Sequence, residues 1–220
     1  MSSGINYKNR LLSGGAIALC LMIPAFADDA AGVKAFKSGD YATAFKEWKP
    51  LADKGDANAE CNLAIMFKKG LYVDRNDPEA FRLFQLSADQ GNAQAQFHLA
   101  EMYAKGWGVS QNYAAALMWT QKSASAGDPD GENRLGWLYD EGYGVQKDAK
   151  MAAHYYILAA QKGNVDAQYS LGMVYAKGIG VHKDYASAAK WLKLAAKNGN
   201  EKAQAELTTL EQKEQLATRK

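Results

Sequence analysis

The sequence predicts an all-α protein, a right-handed α/α superhelical solenoid of helix-turn-helix units with a 36-residue period. Three observations carry this. Gly55, Gly91, Gly127, Gly163 and Gly199 stand 36 residues apart, and Gly70, Gly106, Gly142 and Gly178 keep the same interval. Within each unit Leu63/Leu99/Leu135/Leu171 is followed four residues later by Phe67/Tyr103/Tyr139/Tyr175, a spacing that puts both on one helical face. Each unit opens on Asp56, Asn92, Asp128 or Asn164, and Asn200 repeats the pattern. A short oxygen-bearing side chain there accepts a bond from the unpaired amides of a helix start.

Taken in order, residues 1–27 stand outside the repeat. Lys8 and Arg10 precede an apolar run from Leu11 to Phe26, which ends in Ala25-Phe26-Ala27 before Asp28-Asp29. This reads as a signal peptide cleaved after Ala27. A retained membrane anchor is the bland alternative, but sixteen positions fall short of the roughly 20 that span a bilayer. A lipoprotein anchor on Cys20 is disfavoured by Leu19 before it and by the apolar run beyond it.

Residues 28–55 form a shorter N-terminal cap unit. Its helices are expected near 30–38 and 41–54 around Gly39-Asp40, with Ala44, Phe45, Trp48 and Ala52 in the core. Pro50 falls inside the second helix and should kink it. Four full units follow over 56–199. In each, the residue after the leucine is small (Ala64, Ala100, Gly136, Gly172), and a glycine caps the first helix in the left-handed conformation. The turns read Gly106-Trp107-Gly108-Val109, Gly142-Tyr143-Gly144-Val145 and Gly178-Ile179-Gly180-Val181. Unit one has Gly70-Leu71-Tyr72-Val73, so its turn is expected to differ. Asn76 (or Asp77, before Pro78), Asn112, Asp148 and Asp184 cap the second helices. Those helices carry alanines at 80/116/152/188 and 88/124/160/196, with Leu83, Trp119, Tyr155 and Trp191 between them. Residues 200–220 supply a C-terminal capping helix with a polar outer face, as a solenoid end requires.

The composition narrows the function classes. The chain has 26 Lys+Arg against 24 Asp+Glu, and Lys8 and Arg10 are the only charges within 1–27, so residues 28–220 are formally neutral. A nucleic-acid binder carries a basic surplus and a clustered patch, and neither is present. Beyond residue 27 one cysteine remains, Cys61, at a place held by Phe97 and Tyr169 in other units. It reads as a small core residue, with a disulfide to another chain as the alternative.

The run Ala167 to Asp184 (AQYSLGMVYAKGIGVHKD), with Ala188-Ala189-Lys190-Trp191 and Ala195-Ala196-Lys197-Asn198-Gly199, resembles the Sel-one-like repeat family, and the resemblance covers about 28–215. It implies an α/α solenoid, tetratricopeptide-related, that acts as an adaptor for protein assemblies. Exported bacterial members of that family include envelope scaffolds, partners of signalling receptors and host-contact factors. A cysteine-rich branch is linked to penicillin binding and β-lactam hydrolysis, but its paired cysteines are missing from these units.

Constant positions are read as packing and variable ones as surface. The variable first-helix positions fall at i, i+4, i+7 and i+11, one helical stripe, expected on the concave side. They are Asn58, Asn62, Ile65, Lys69; Gln94, His98, Glu101, Lys105; Asp130, Arg134, Trp137, Glu141; and Asp166, Ser170, Met173, Lys177. The partner-binding candidates are Trp137 and Arg134, residue types over-represented at interface hot spots, with His98, Glu101, Lys105, Glu141, Ser170, Met173 and Lys177 around them. Trp137 could equally lean into a neighbouring unit as core, and a solvated face is the default for the charged members. Catalytic signals are thin. His98, His154 and His182 do not recur and have no metal-ligand spacing. Ser187 and Lys190 match Ser-x-x-Lys but lack its companion elements. The expectation is a monomeric, non-enzymatic periplasmic adaptor holding a protein or peptide partner, with a penicillin-binding or β-lactam-hydrolysing cell-wall enzyme, or a secreted host-contact factor, as the alternatives. It is expected to need no cofactor, metal, nucleic acid or membrane after signal cleavage.

Overall fold

The computed structural model describes residues 29–217, which form eleven helices and their turns with no strand among them. The cap unit is α1 (Asp29–Lys37) and α2 (Tyr41–Ala52). The four full units are α3 (Ala57–Lys69) with α4 (Asp77–Asp89), α5 (Ala93–Lys105) with α6 (Tyr113–Ser125), α7 (Pro129–Glu141) with α8 (Ala149–Gln161), and α9 (Val165–Lys177) with α10 (Tyr185–Lys197). The last element is α11 (Glu201–Ala217). Residues 1–27, read above as a signal peptide, lie outside the described residues, as do 218–220. No described helix is long and apolar enough to cross a membrane.

The helix ends follow the chemistry of their caps. Asp56, Asn92, Asp128 and Asn164 each accept a bond from the amide three residues on, at 2.8–2.9 Å. Asn76, not Asp77, caps α4: its Oδ1 accepts from the Glu79 amide at 3.0 Å. Asp77 instead opens the helix and receives two bonds from Arg75. Pro50 lies in the last turn of α2, which runs on to Ala52. Each helix packs on its neighbours in sequence, so the chain is an α/α solenoid. Leu63, Leu99, Leu135 and Leu171 are all buried between the helices, with Ala80, Ala116, Ala152 and Ala188 opposite them. At the far end Ala203, Leu207 and Leu210 of α11 close the core against Leu192 and Ala195. Cys61 is fully buried in α3, as a core position should be.

Unit one keeps the turn of the other units despite losing the second glycine. Tyr72 takes φ 67°, alongside 67° at Gly108, 71° at Gly144 and 76° at Gly180. Positive φ costs a side-chain-bearing residue about 1 kcal/mol or more, and the Tyr72 ring offsets part of this by lying against Phe45 at 5.5 Å.

Successive units do not stack identically. A Cβ on Gly108 would overlap the Asp77 carbonyl, so the turn after α5 rests on the start of α4. A Cβ on Gly180 would likewise overlap the Ala149 carbonyl, so the turn after α9 rests on the start of α8. A Cβ on Gly144, in the turn after α7, would meet no backbone: the one atom within 4 Å is Leu117 Cδ2, at 3.5 Å. At the opposite end of that junction the order reverses. Gly131 in the first turn of α7 stands where other units have Ala59, Ala95 and Ala167, all fully buried. A Cβ there would overlap the Ser123 hydroxyl and come within 2.9 Å of the Ala124 amide nitrogen. α7 thus presses on α6 at its start and stands away from it at its end, leaving a wedge.

Replacing Gly131 by alanine separates two expectations. Helix propensity and the alanine of the other units argue for a gain of up to about 1 kcal/mol. The overlap with Ser123 and Ala124 argues for an overpacking loss of about 1–3 kcal/mol. The expected outcome is a lower melting temperature for Gly131→Ala, read by circular dichroism; an unchanged or higher one would contradict the wedge geometry.

Candidate functional site

The wedge is a groove of about 660 Å³ walled by α5, α6, α7 and the turn after α7. Its volume traces to one packing position. Thr120 on the floor occupies the place that Phe84, Tyr156 and Leu192 hold in the other units, where those side chains are buried. The Thr120 hydroxyl turns back to the Ala116 carbonyl at 2.8 Å, so the small side chain adds no polar group to the space. Phe97, Leu117 and Leu138 give the walls an apolar surface. At the mouth stand Tyr113, Tyr143 and Trp137, 69%, 57% and 38% exposed. The Trp137 and Tyr143 rings lie 5.2 Å apart, and the Arg134 guanidinium sits over the Trp137 ring at 5.1 Å.

The groove gathers four of the sequence candidates: Trp137, Arg134, Glu101 and Lys105. Ser170 lines an adjoining pocket of about 370 Å³ that shares Arg134 and Trp137 and is bounded by Asp130 and Asp166. The other candidates lie elsewhere. His98 turns inward, its ring 4.9 Å from Phe84 and 5.4 Å from Phe97. Met173 packs against the terminal core. Glu141 and Lys177 are exposed at the last turns of α7 and α9, away from both pockets. Asn62 and Ile65 of the same stripe are buried, so the stripe is not a continuous surface. Sequence reasoning missed Phe97, Tyr113, Leu117 and Tyr143. Their signal was Thr120, a small residue in a column of large ones.

The electrostatics of the groove are uneven. Glu101 receives Lys68 Nζ at 3.0 Å from the preceding unit, and His98 Nδ1 lies 3.5 Å away. Burial works to raise the Glu101 carboxyl, but the bond with His98 and the charge of Lys68 outweigh it and hold the group down at about 2. Burial lowers His98, which favours the neutral ring. Lys105 Nζ rests over the Trp107 indole at 4.4 Å. In the adjoining pocket burial raises Asp130, helped by the charges of Glu101 and Asp166.

A carboxyl depressed on folding stabilises the fold above its unfolded pKa and loses that contribution as pH falls toward the folded value. Glu101 falls from 4.5 to about 2. Glu101→Gln is therefore expected to be less stable than the parent by about 2–3 kcal/mol at pH 7. Urea melts should show the gap narrowing between pH 4.5 and 3; a gap constant with pH would mean the carboxylate charge is not what Lys68 and His98 hold.

The Sel1 repeat matches residues 57–92, 93–128, 129–164 and 165–200. No match was found among curated proteins. Among solved structures, a Sel1 repeat protein from Oxalobacter formigenes is 35% identical over 76% of this chain and 49% of its own, with a TM-score of 0.70. The c5321 protein, a protective antigen present in uropathogenic Escherichia coli strains and displaying an SLR fold, is 32% identical over 83% of this chain and 40% of its own, with a TM-score of 0.70. Immunity protein PA5088 from Pseudomonas aeruginosa shares the fold alone, at 24% identity over 82% of this chain and 69% of its own, with a TM-score of 0.58. The chain spans half or less of the length of the first two. Sel1 repeat proteins are typically protein-interaction scaffolds. With four matched units covering residues 57–200, the chain belongs to the Sel1 repeat family.

Proposed function

We propose that this protein is an exported adaptor that holds a protein or peptide segment in the groove between α5, α6 and α7 without transforming it. One observation carries the reading: an apolar groove left open where every other unit fills the same position with Phe84, Tyr156 or Leu192. Binding sites concentrate their energy in aromatic and arginine side chains around a desolvated pocket, and Trp137, Tyr143, Tyr113 and Arg134 surround this one. Export to the periplasm is supported by the leader-like sequence pattern of residues 1–27, and a role in envelope assembly or signalling by the resemblance to exported members of the family. Ser187, the one residue in a hydrolase-like pattern, donates its hydroxyl to Asp184 at 2.6 Å within the cap of α10. That bond serves the helix start, and no observation favours a catalytic role for it.

The test uses a plug as well as a truncation. Thr120→Phe fills the floor with the side chain that unit one already carries, and should raise stability by about 0.5–2 kcal/mol, as cavity filling does. Affinity capture from envelope extract is expected to retain a partner on the parent chain and lose it on both Thr120→Phe and Trp137→Ala/Arg134→Ala. A partner held equally by the more stable Thr120→Phe protein would move the binding surface away from this groove.

A further inference from the structure

The charges around the groove point to what occupies it. Resting on the groove assigned above, we propose that the occupant is a short acidic segment carrying a bulky apolar anchor.

The anchor follows from the walls. Phe97, Leu117, Trp137 and Tyr143 enclose a space of about 660 Å³. A pocket of that size and lining takes large apolar side chains. The acidic character follows from which charges are already neutralised. Of the three charged residues lining the groove, Glu101 is bridged by Lys68 at 3.0 Å and stays ionised. Lys105 and Arg134 have no carboxylate within ion-pair distance among the described residues; each rests on an indole face instead. A ring face attracts a cation through its quadrupole but leaves the net charge in place. Lys68 and Arg75 also approach Trp107, at 5.5 and 6.0 Å, and both are satisfied, by Glu101 and Asp77. The unmet charge at the mouth is therefore positive and belongs to Lys105 and Arg134.

The second pocket gives the segment a direction. Beyond Arg134 stand Asp130 and Asp166. Asp130 already accepts from Asn164 at 2.6 Å, and burial keeps its carboxyl raised, so further negative charge on that side is unfavourable. The acidic residue of the occupant thus lies toward Lys105, on the α5 side of the apolar anchor. Like charges brought together across an interface oppose association, so the same arrangement rejects segments carrying the reverse order.

A random twelve-residue peptide library displayed on phage, selected against the immobilised full chain, tests this directly. The expected enrichment is Trp, Phe or Leu next to Asp or Glu. Selection on Thr120→Phe should enrich nothing in common with the parent. Selection on Lys105→Gln/Arg134→Gln should keep the apolar residue and lose the acidic one. The best peptide, made with a fluorescent label, should bind that charge variant at least tenfold more weakly by anisotropy at low salt. Neutral or basic peptides that bind the parent and are lost on Thr120→Phe would overturn the acidic occupant and leave the groove standing. Acidic enrichment that survives the charge variant would overturn the role of Lys105 and Arg134. Failure to find any peptide that depends on Thr120 would sink the groove reading itself.

Discussion

The whole molecule depends on helices approaching closely across small residues. A single helix-turn-helix unit cannot bury its own apolar face, so each borrows cover from the next. The approach is set by a compensating pair in each unit, a small residue after the first-helix leucine and a larger one across from it. Gly136 faces Tyr156, and a Cβ there would stand 2.9 Å from the ring. Gly172 faces Leu192, and a Cβ there would overlap its side chain, 2.7 Å from Cγ. In the same register unit one has Ala64 and Phe84, both buried in one core cluster. Close packing at crystal-like density makes such volume exchange obligatory in a core.

Unit two breaks the exchange, since Ala100 is matched by Thr120 and neither side is large. The deficit cannot be closed by collapse, because Gly131 lets α7 press hard on α6 at the other end of the junction. One contact acts as a pivot and the missing side chain as the gap, so two substitutions at packing positions suffice to open a groove in an otherwise regular stack. The aromatic residues at its mouth then cover a surface that in a filled unit would be interior.

The architecture was legible because it is written in period and caps. Glycines at a fixed interval, an Asp or Asn before each helix and the i, i+4 apolar pair specify the paired helices of the four full units. The site was legible only in part. Trp137 and Arg134 stood out as residue types without a repeat-wide packing reason, and they line the groove. His98 and Met173 came from the same stripe, yet local packing turned them inward: Phe84 offers a ring face to His98, and the last core cluster has room for Met173. The stripe rule treats all units as equivalent. The groove exists because they are not, and its floor sits on the second helix, in a column (Phe84, Thr120, Tyr156, Leu192) outside that stripe. Tyr143 and Leu117 gain their importance only from the third dimension, as the turn that stands off and the side chain it meets.

A groove that is already open in the free chain changes the energetics of binding. Ordering of loops and side chains is a main cost of association, and a preformed site avoids much of it. Here the rigid walls are three helices and the polar edge is held in place by ring faces: Arg134 over Trp137, Lys105 over Trp107. These contacts restrain two long side chains without neutralising them, so under the proposed reading a carboxylate arriving at the mouth meets cations that are oriented in advance. The bridge from Lys68 to Glu101 serves the same end, because it removes the one lining carboxylate that would otherwise compete for them. On the proposed reading an incomplete core layer becomes useful: the groove over Thr120 offers apolar area to a partner, and the charges around it select which partner approaches.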